Sequence, residues 1–525
     1  MSGPVRHELL AVLDFGSQYG QLIARRAREL GVYAEILPPD TDVETLRRRG
    51  ARAVILSGGP DSAHAQGART VDLALYDSGL PVLGICYGAQ RMAADLGGVS
   101  GPGEEGEFGP AVLTPAPGAR DLGIGDGNLL IDLEPGATVW MSHSDRVEAL
   151  PPGFVPLAST RGAPLAAFAD PVRRLYGVQF HPEVGHTQGG RAVMARFLHD
   201  VAGFAGDWTM AAFAQEAVAA IRAQVGERGR AIAALSGGVD SSVAAALAAR
   251  ALGDRLTAIF VDHGLLRLGE ADEVMAAMGA LGVRVRRVDA AERFLAALEG
   301  VGDPERKRRI IGTLFVRVFE EEARRVAEEG AGFLVQGTLY PDVVESGAGR
   351  SQTIKTHHNV GGLPEDLGLE LVEPLRLLFK DEVRALGREL GLPEAIVSRQ
   401  PFPGPGLAVR IAGPVTAQGL EILRQADRVV REEIEAAGLA PSLFQYFAVL
   451  LAPVRAVGVM GDNRTYGMPV VVRAVASEDG MTADRARLPD DVLGRIATRL
   501  TNEVAGVGRV LYDLTTKPPG TIEWE

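Results

Sequence analysis

The chain runs to 525 residues, carries a formal net charge of −13 and contains one cysteine. Such a length outgrows a single hydrophobic core and predicts roughly three or four domains. The acidic balance argues against a nucleic-acid backbone as the main partner, and no uninterrupted apolar run reaches the ~18 residues of a membrane span.

From the start, short apolar runs alternate with helical stretches rich in Ala, Leu and Arg. The chain is expected to enter its first domain directly, because Asp14 interrupts any signal-like apolar core. Residues 9–13, 53–56 and 81–85 read as strands, with QLIARRAREL and AQRMAADL as helices, the pattern of a parallel α/β sheet. GFAGDW (203–208) separates this series from a second one, whose strands are expected at 231–235, 256–261, 283–288 and 333–337. Residues 340–364 are polar and Gly-rich without periodicity, as in a functional lid or a disordered segment. QPFPGPG (400–406) marks a second boundary. Beyond it, a long helix at about 415–437 and β-like segments such as PVVVRAV (469–475) read as α+β. The apolar strand 469–475 looks exposed and in need of a partner surface. The fold class expected is α/β: two successive parallel-sheet α/β domains, 1–205 and 206–398, then a smaller α+β C-terminal domain, 399–525.

The lone cysteine, Cys86, rules out internal disulfides and cysteine-rich metal sites, and fits a reducing cytoplasm. It sits in PVLGICYGAQ (81–90), where a buried strand runs into a turn and a helix. Gly84 and Gly88, two residues to either side, permit the tight turn of a nucleophile elbow. A helix N-terminus beside the sulfur favours the thiolate, the reactive form. Cysteine catalysis needs a base and a group to orient it; LYGVQFHPEV (175–184) supplies His181 and Glu183. In ILSGGPDS (55–62), Gly58 and Gly59 form a bare turn whose N–H groups can serve an oxyanion together with the N–H of Tyr87. These three pieces, over residues 8–200, resemble a class I glutamine amidotransferase. The resemblance implies Cys86 as nucleophile towards the glutamine side-chain amide, His181 as base, Glu183 as orienter, and ammonia as product.

LSGGVDSSV (235–243) lies between a predicted strand and an Ala-rich helix. It is not a Walker loop, since no Gly-Lys pair occurs in the chain. A literal G-x-G-x-x-G, GPGEEG (101–106), carries Pro102 and is read as a surface loop. Hydroxyls and helix N-terminal N–H groups across Ser236, Gly237, Gly238, Val239, Asp240, Ser241 and Ser242 suit an anion, and Asp240 suits Mg²⁺. The string resembles the loop of the ATP-pyrophosphatases, which hold the β and γ phosphates of ATP as leaving pyrophosphate. That resemblance implies adenylation of a substrate oxygen, with Mg²⁺ as companion of ATP. It puts the adenine near Val261 in FVDHG (260–264) and makes Lys380 of FKDEVRAL (379–386) the phosphate cation.

An ammonia source beside an adenylating site means synthesis of an amide or amidine. KRRIIG (307–312), GTLYPDVVES (337–346), IKTHHNVGGLP (354–364), PFPGPGLAVRI (401–411), PVRAVGVMGD (453–462) and KPPGTIEWE (517–525) resemble the glutamine-hydrolysing GMP synthase family over nearly the whole chain. The resemblance implies that ATP adenylates the C2 oxygen of XMP and that ammonia displaces AMP. For XMP it implies Arg308, Arg509 and Lys517 at the phosphate, Asp342 and Glu345 at polar edges, Ile522 and Glu523 over the base, and Gln445 nearby. It also implies a homodimer, with small-molecule substrates and neither nucleic acid nor membrane as partner. His357 and His358 belong to the lid rather than to a metal site, since adjacent histidines cannot readily chelate one ion from one face.

Two positions depart from the family pattern: Ser144 in MSHSDRV, where glycine is expected, and Asp61, where glutamate is more usual. Both lie outside the triad and bear on signalling between domains. Rival readings are an NAD⁺ or asparagine synthetase, which would not end in KPPGTIEWE, and an RNA-thiolating enzyme, which needs a second cysteine and a basic surface. A non-catalytic regulator is a third, and the intact Cys86, His181, Glu183 set speaks against it.

Overall fold

The structure is a computed structural model that describes residues 7–525 apart from 64, 66, 118–127, 348–367, 461–462, 478–479 and 481. The expected lid, with His357 and His358, lies mostly outside the described residues. The chain divides into two compact units, Met1–Phe213 and Ala214–Glu525.

In the first unit, the strands in chain order are β1 (Leu9–Leu13), β2 (Ala34–Leu37), β3 (Ala51–Leu56), β4 (Val82–Ile85), β5 (Val99–Val112), β6 (Thr114–Pro115), β7 (Thr138–Ala149), β8 (Val155–Ser159), β9 (Ala167–Asp170) and β10 (Leu175–Val178). Eight of them form a sheet in the order β2-β1-β3-β4-β10-β9-β8-β6. The five from β2 to β10 are parallel, and β9, β8 and β6 extend the sheet in antiparallel fashion. Every residue of β1, β4 and β10 is buried, which is why these strands read as unbroken apolar runs rather than alternating ones.

β5 and β7 pair as a separate two-stranded ribbon. GPGEEG is therefore not a free surface loop. It lies inside β5, where the pairing slips between Pro102 and Glu107 and lets the extra residues bulge out. The GFAGDW stretch also packs into the first unit: Trp208 is buried, against Tyr33 at 4.7 Å and His7 at 4.8 Å.

The second unit contains β11 (Arg230–Leu235), β12 (Leu256–Asp262), β13 (Val285–Asp289), β14 (Ala331–Val335), β15 (Glu370–Val372), β16 (Ile411–Ala412), β17 (Gln445–Leu451), β18 (Ala456–Met460), β19 (Asn463–Ala476), β20 (Asp484–Arg485) and β21 (Val507–Tyr512). A fully parallel sheet runs β13-β12-β11-β14-β15. A mixed sheet runs β16-β17-β19-β18, with β20 and β21 also paired to β19. One apolar core joins the two: Ile232, Phe294 and Phe319 share it with Leu407, Leu423, Val470 and Ile496. No break in packing follows the Pro/Gly cluster at 400–406.

The strand expected to need a partner surface is already covered. Val470, Val471 and Val472 are at most 2% exposed, because β19 is the centre of its sheet, with β17 and β21 on it. Among the apolar side chains that are exposed in this region, Val457, Val459 and Tyr466 stand on β18 and its partner.

Candidate active sites

Strand order assembles the first site. β3, β4 and β10 are neighbours in one parallel register, so the Gly58–Gly59 turn, Cys86 and His181 all emerge from the same sheet edge. Ligand sites in open α/β sheets lie at these carboxyl ends. Cys86 takes φ 52° and ψ −108° as the residue capping helix Tyr87–Asp95. A left-handed conformation is uncommon for a non-glycine residue and is the signature of a functional turn when the surroundings enforce it.

The surroundings do enforce it. A Cβ at Gly84 would lie 2.6 Å from Ala89 N, and one at Gly88 2.4 Å from Leu56 O, so neither position admits a side chain. The Cys86 N–H donates to Val178 O at 2.8 Å, tying the elbow to β10. Tyr87 opens the helix, so its N–H has no intrahelical acceptor and faces the nucleophile end. Gly59 lies against it: a Cβ there would be 3.3 Å from Tyr87 Cγ.

His181 Nδ1 and Glu183 Oε1 are 2.8 Å apart, and both residues are buried. Burial alone would lower the imidazole pKa, but the Glu183 carboxylate and the Cys86 side chain outweigh it and raise His181 well above 6.5. With Nδ1 on Glu183, the Nε2 edge is left for Cys86. Tyr19 stacks edge-on over the ring at 5.0 Å. Sequence reasoning missed Tyr19 and also Gln179, whose Nε2 lies 3.7 Å from Cys86 Sγ. Gln179 is only two residues before the histidine, within the motif already quoted. Asp61 faces Arg69 at 4.0 Å, and Ser144 is exposed on β7.

The second site forms where β11 gives way to helix Val239–Leu252. Ser236 Oγ lies 3.0 Å from Ser241 Oγ, and the Ser236 N–H donates to Ser241 Oγ at 3.2 Å, closing the loop on itself. Lys380 Nζ reaches Asp240 Oδ2 at 2.5 Å across 140 residues of sequence. Gly237 O accepts from Arg399 at 2.9 Å, a loop contact that no motif announced. Ser242 is fully buried, and Val261 sits buried in β12, next to β11.

Asp240 Oδ1 is buried without a hydrogen-bond partner among the described residues. One carboxylate oxygen of this loop is thus available to a hard cation. No group of three or more His, Cys, Asp or Glu among the described residues could hold a metal ion unaided. That donor set fits Mg²⁺ delivered with phosphates, which keeps few protein ligands.

The residues expected at XMP fall into two groups. Arg308, Gln445, Ile522 and Glu523 are drawn together by the tail. Glu523 accepts from Arg410 through both oxygens and from Gln445 Nε2 at 2.7 Å, while Ile522 packs on Phe447, Val449 and Val471. Arg308 donates to the main-chain oxygen of Glu525. Lys307, fully buried, pairs with the Glu525 side chain and also donates to Ala408 O and Ile411 O. Arg473, equally buried, donates to Thr521 O at 3.0 Å. The three buried cations Lys307, Arg410 and Arg473 were not singled out from sequence, because nothing in a sequence marks an arginine as buried.

Arg509 is exposed on β21, and Lys517 is tied to Gly480 O at 2.8 Å and to Ala483. Neither makes a hydrogen bond or ion pair to the first group among the described residues. Asp342 accepts from Leu339 N at 3.1 Å, at the start of its own helix. The Glu345 side chain lies outside the described residues.

Comparison with known proteins matches three family models along the chain. They are glutamine amidotransferase class-I over residues 11–201, NAD synthase over 213–311 and GMP synthase C terminal domain over 432–524. Among curated relatives, the GMP synthase (glutamine-hydrolyzing) of Parafrankia sp. is 59% identical over 99% of this chain and 97% of its own. That of Heliobacterium modesticaldum is 55% identical over 99% of each chain. That of Mycobacterium tuberculosis is 57% identical over 98% of this chain and 97% of its own.

Proposed function

The chain belongs to the glutamine-hydrolysing GMP synthase family, and from that premise we infer that it makes GMP from XMP, ATP and glutamine. ATP adenylates the C2 oxygen of XMP with release of pyrophosphate, and ammonia from glutamine then displaces AMP. The observation that carries the reading is the presence in one chain of two separately built sheet-edge sites, one around Cys86 and one around the 236–242 loop.

In the first site, His181 takes the Cys86 proton and the thiolate attacks the side-chain amide carbon of glutamine. The Gly59 and Tyr87 N–H groups receive the developing oxyanion. His181 then returns the proton to the leaving nitrogen, ammonia departs, and water releases glutamate from the thioester. Glu183 holds the imidazole in the tautomer this requires.

In the second site, the Ser236–Ser242 loop and Lys380 hold the β and γ phosphates, with the adenine towards Val261. Bound Mg²⁺ supplies charge neutralisation on the pyrophosphate leaving group, and Asp240 is the residue suited to hold it. Arg308, Arg509 and Lys517 serve the XMP phosphate, Gln445, Ile522 and Glu523 its base, and Asp342 and Glu345 its remaining polar edges. Because Glu523 is engaged by Arg410 and Gln445, the tail offers the base a carboxylate whose position is already fixed.

The division into 1–205, 206–398 and 399–525 is retained as one of function, with the last segment serving XMP binding and dimerisation. Val457, at 53% exposed, faces Tyr466 across the β18–β19 ladder, and Val459 lies two residues on. Such a contiguous apolar strip suits a two-fold contact with a second copy. A cytoplasmic location follows from small-molecule substrates of this kind.

Purified protein with XMP, ATP, Mg²⁺ and glutamine, followed by nucleotide chromatography, tests the reading. GMP and AMP are expected in equal amounts; ADP in place of AMP would contradict it.

A further inference from the structure

Among the described residues, Ser142, Gln179 and His181 place polar groups at the Cys86 sulfur, and of these His181 belongs to the triad. The Gln179 carboxamide Nε2 lies 3.7 Å from Sγ, and the Ser142 carbonyl oxygen lies at the same distance. Gln179 follows β10 directly and is 1% exposed, its backbone N–H fixed on Ala166 O at 2.8 Å. Its Oε1 is buried and has no hydrogen-bond partner among the described residues. An unpaired buried amide oxygen lowers stability, and a methionine of similar size would avoid that cost. Packing therefore does not account for a carboxamide at this position.

The two contacts suit opposite protonation states of the same atom. A thiol S–H donates to the Ser142 carbonyl. A thiolate has no proton to give and accepts instead, from Gln179 N–H and from His181. Hydrogen bonds to an ionised acceptor are the stronger class, and they favour the charged form. We propose that Gln179 is a positioning residue for the nucleophile: once the proton has passed to His181, its carboxamide N–H holds and stabilises the Cys86 thiolate. The proposal rests on Cys86 being the nucleophile of the glutamine site.

Other titratable groups on the elements around this site would be left in place by a change at Gln179. They are His181 with Glu183 after β10, His143 on β7 with Glu107 on β5 at 3.5 Å, and Asp14 after β1, bonded to Ser57. Asp145 on β7 adds a further carboxylate, and its carbonyl accepts from Gln90 in the nucleophile's own helix.

Cys86 is the only cysteine in the chain, so a thiol titration reads this one group. The full chain as wild type, Gln179→Met and Gln179→Glu is titrated by ultraviolet thiolate absorbance and by iodoacetamide alkylation rate against pH. Methionine keeps the volume without a donor, and ionised glutamate presents acceptors only. The midpoint for thiolate formation is expected to rise by about one pH unit in Gln179→Met, and further in Gln179→Glu. Glutamine-dependent turnover falls about tenfold in Gln179→Met with KM for glutamine little changed, while synthesis from added ammonium is kept. A wild-type midpoint in a Gln179→Met protein that unfolds at the wild-type temperature overturns the proposal. So does failure of both variants to fold, which would make Gln179 a packing residue. Glutamine-dependent synthesis surviving in Cys86→Ala would instead remove the nucleophile reading beneath it.

Discussion

Arg410 holds Glu523 through two parallel hydrogen bonds, Nε to Oε2 at 3.0 Å and Nη2 to Oε1 at 2.7 Å. The arginine is fully buried, with its guanidinium 3.9 Å over the Phe447 ring and Asp427 3.8 Å away. A carboxylate fixed by a fork of this kind has one orientation rather than many. Local geometry at residues 410, 445 and 473 therefore sets the path of the tail.

Arg410→Ala removes one partner of a buried pair and leaves Glu523 and Asp427 without their shared cation. A loss of about 3–5 kcal/mol in the stability of the second unit is expected, read by urea unfolding. XMP titration of the same variant should show weaker binding, as should a protein lacking residues 517–525. Glutaminase chemistry in the first unit should remain intact in both. Unchanged XMP affinity in the truncated protein would show the tail to be a surface strand only.

Asp240 and Lys380 are the charged pair at the 236–242 loop, and if that loop holds ATP as proposed, their removal should act on both nitrogen sources alike. Asp240→Ala is expected to stop AMP formation whether glutamine or ammonium is supplied. Lys380→Met should weaken ATP binding, because the phosphates lose a point charge. A variant that loses only glutamine-dependent synthesis would place Asp240 outside the ATP site.

Glu183→Gln keeps the shape of the triad but removes the carboxylate that raises the His181 pKa and holds its tautomer. Glutamine-dependent kcat should fall about 10²–10⁴-fold, with ammonium-dependent synthesis unchanged. Steady-state kinetics with the two nitrogen sources separate these effects, and parallel losses would argue against separate sites.

His263 carries a pH dependence for the second unit. Burial pushes its pKa down to about 4, against the pull of Asp262 and Glu270, and its Nδ1 accepts from Leu265 N at 3.1 Å. Between that value and about 6.5 the unfolded chain binds a proton that the folded chain refuses, so stability rises with pH across this window. Acidification from pH 6.5 to 4 should remove about 3 kcal/mol. His263→Asn, with an oxygen near the Nδ1 position, should flatten that slope in urea unfolding measured across the window. A slope as steep as the wild type's would assign the acid sensitivity to other groups.

Much of this was legible from the sequence for a physical reason. Strands buried on both faces must be apolar along their length, so β1, β4, β11 and β12 could be read directly from the chain. The elbow glycines were legible because no other residue fits against Ala89 N and Leu56 O. The β5–β7 ribbon was not, since its Gly- and Pro-bearing strand carries turn-like composition and takes its order from its partner. Nor were Arg410, Arg473 and Lys307, whose burial comes from tertiary packing around the tail. PVVVRAV is legible as a strand but its covered face is not, because central and edge strands share the same apolar run.

Two chemically independent sites joined by ammonia are tested most directly by GMP formation in Cys86→Ala with each nitrogen source. With glutamine, no GMP above background is expected; with added ammonium, the rate should match that of the wild type. Equal loss with both sources, or GMP from glutamine at the wild-type rate, would contradict that two-site reading.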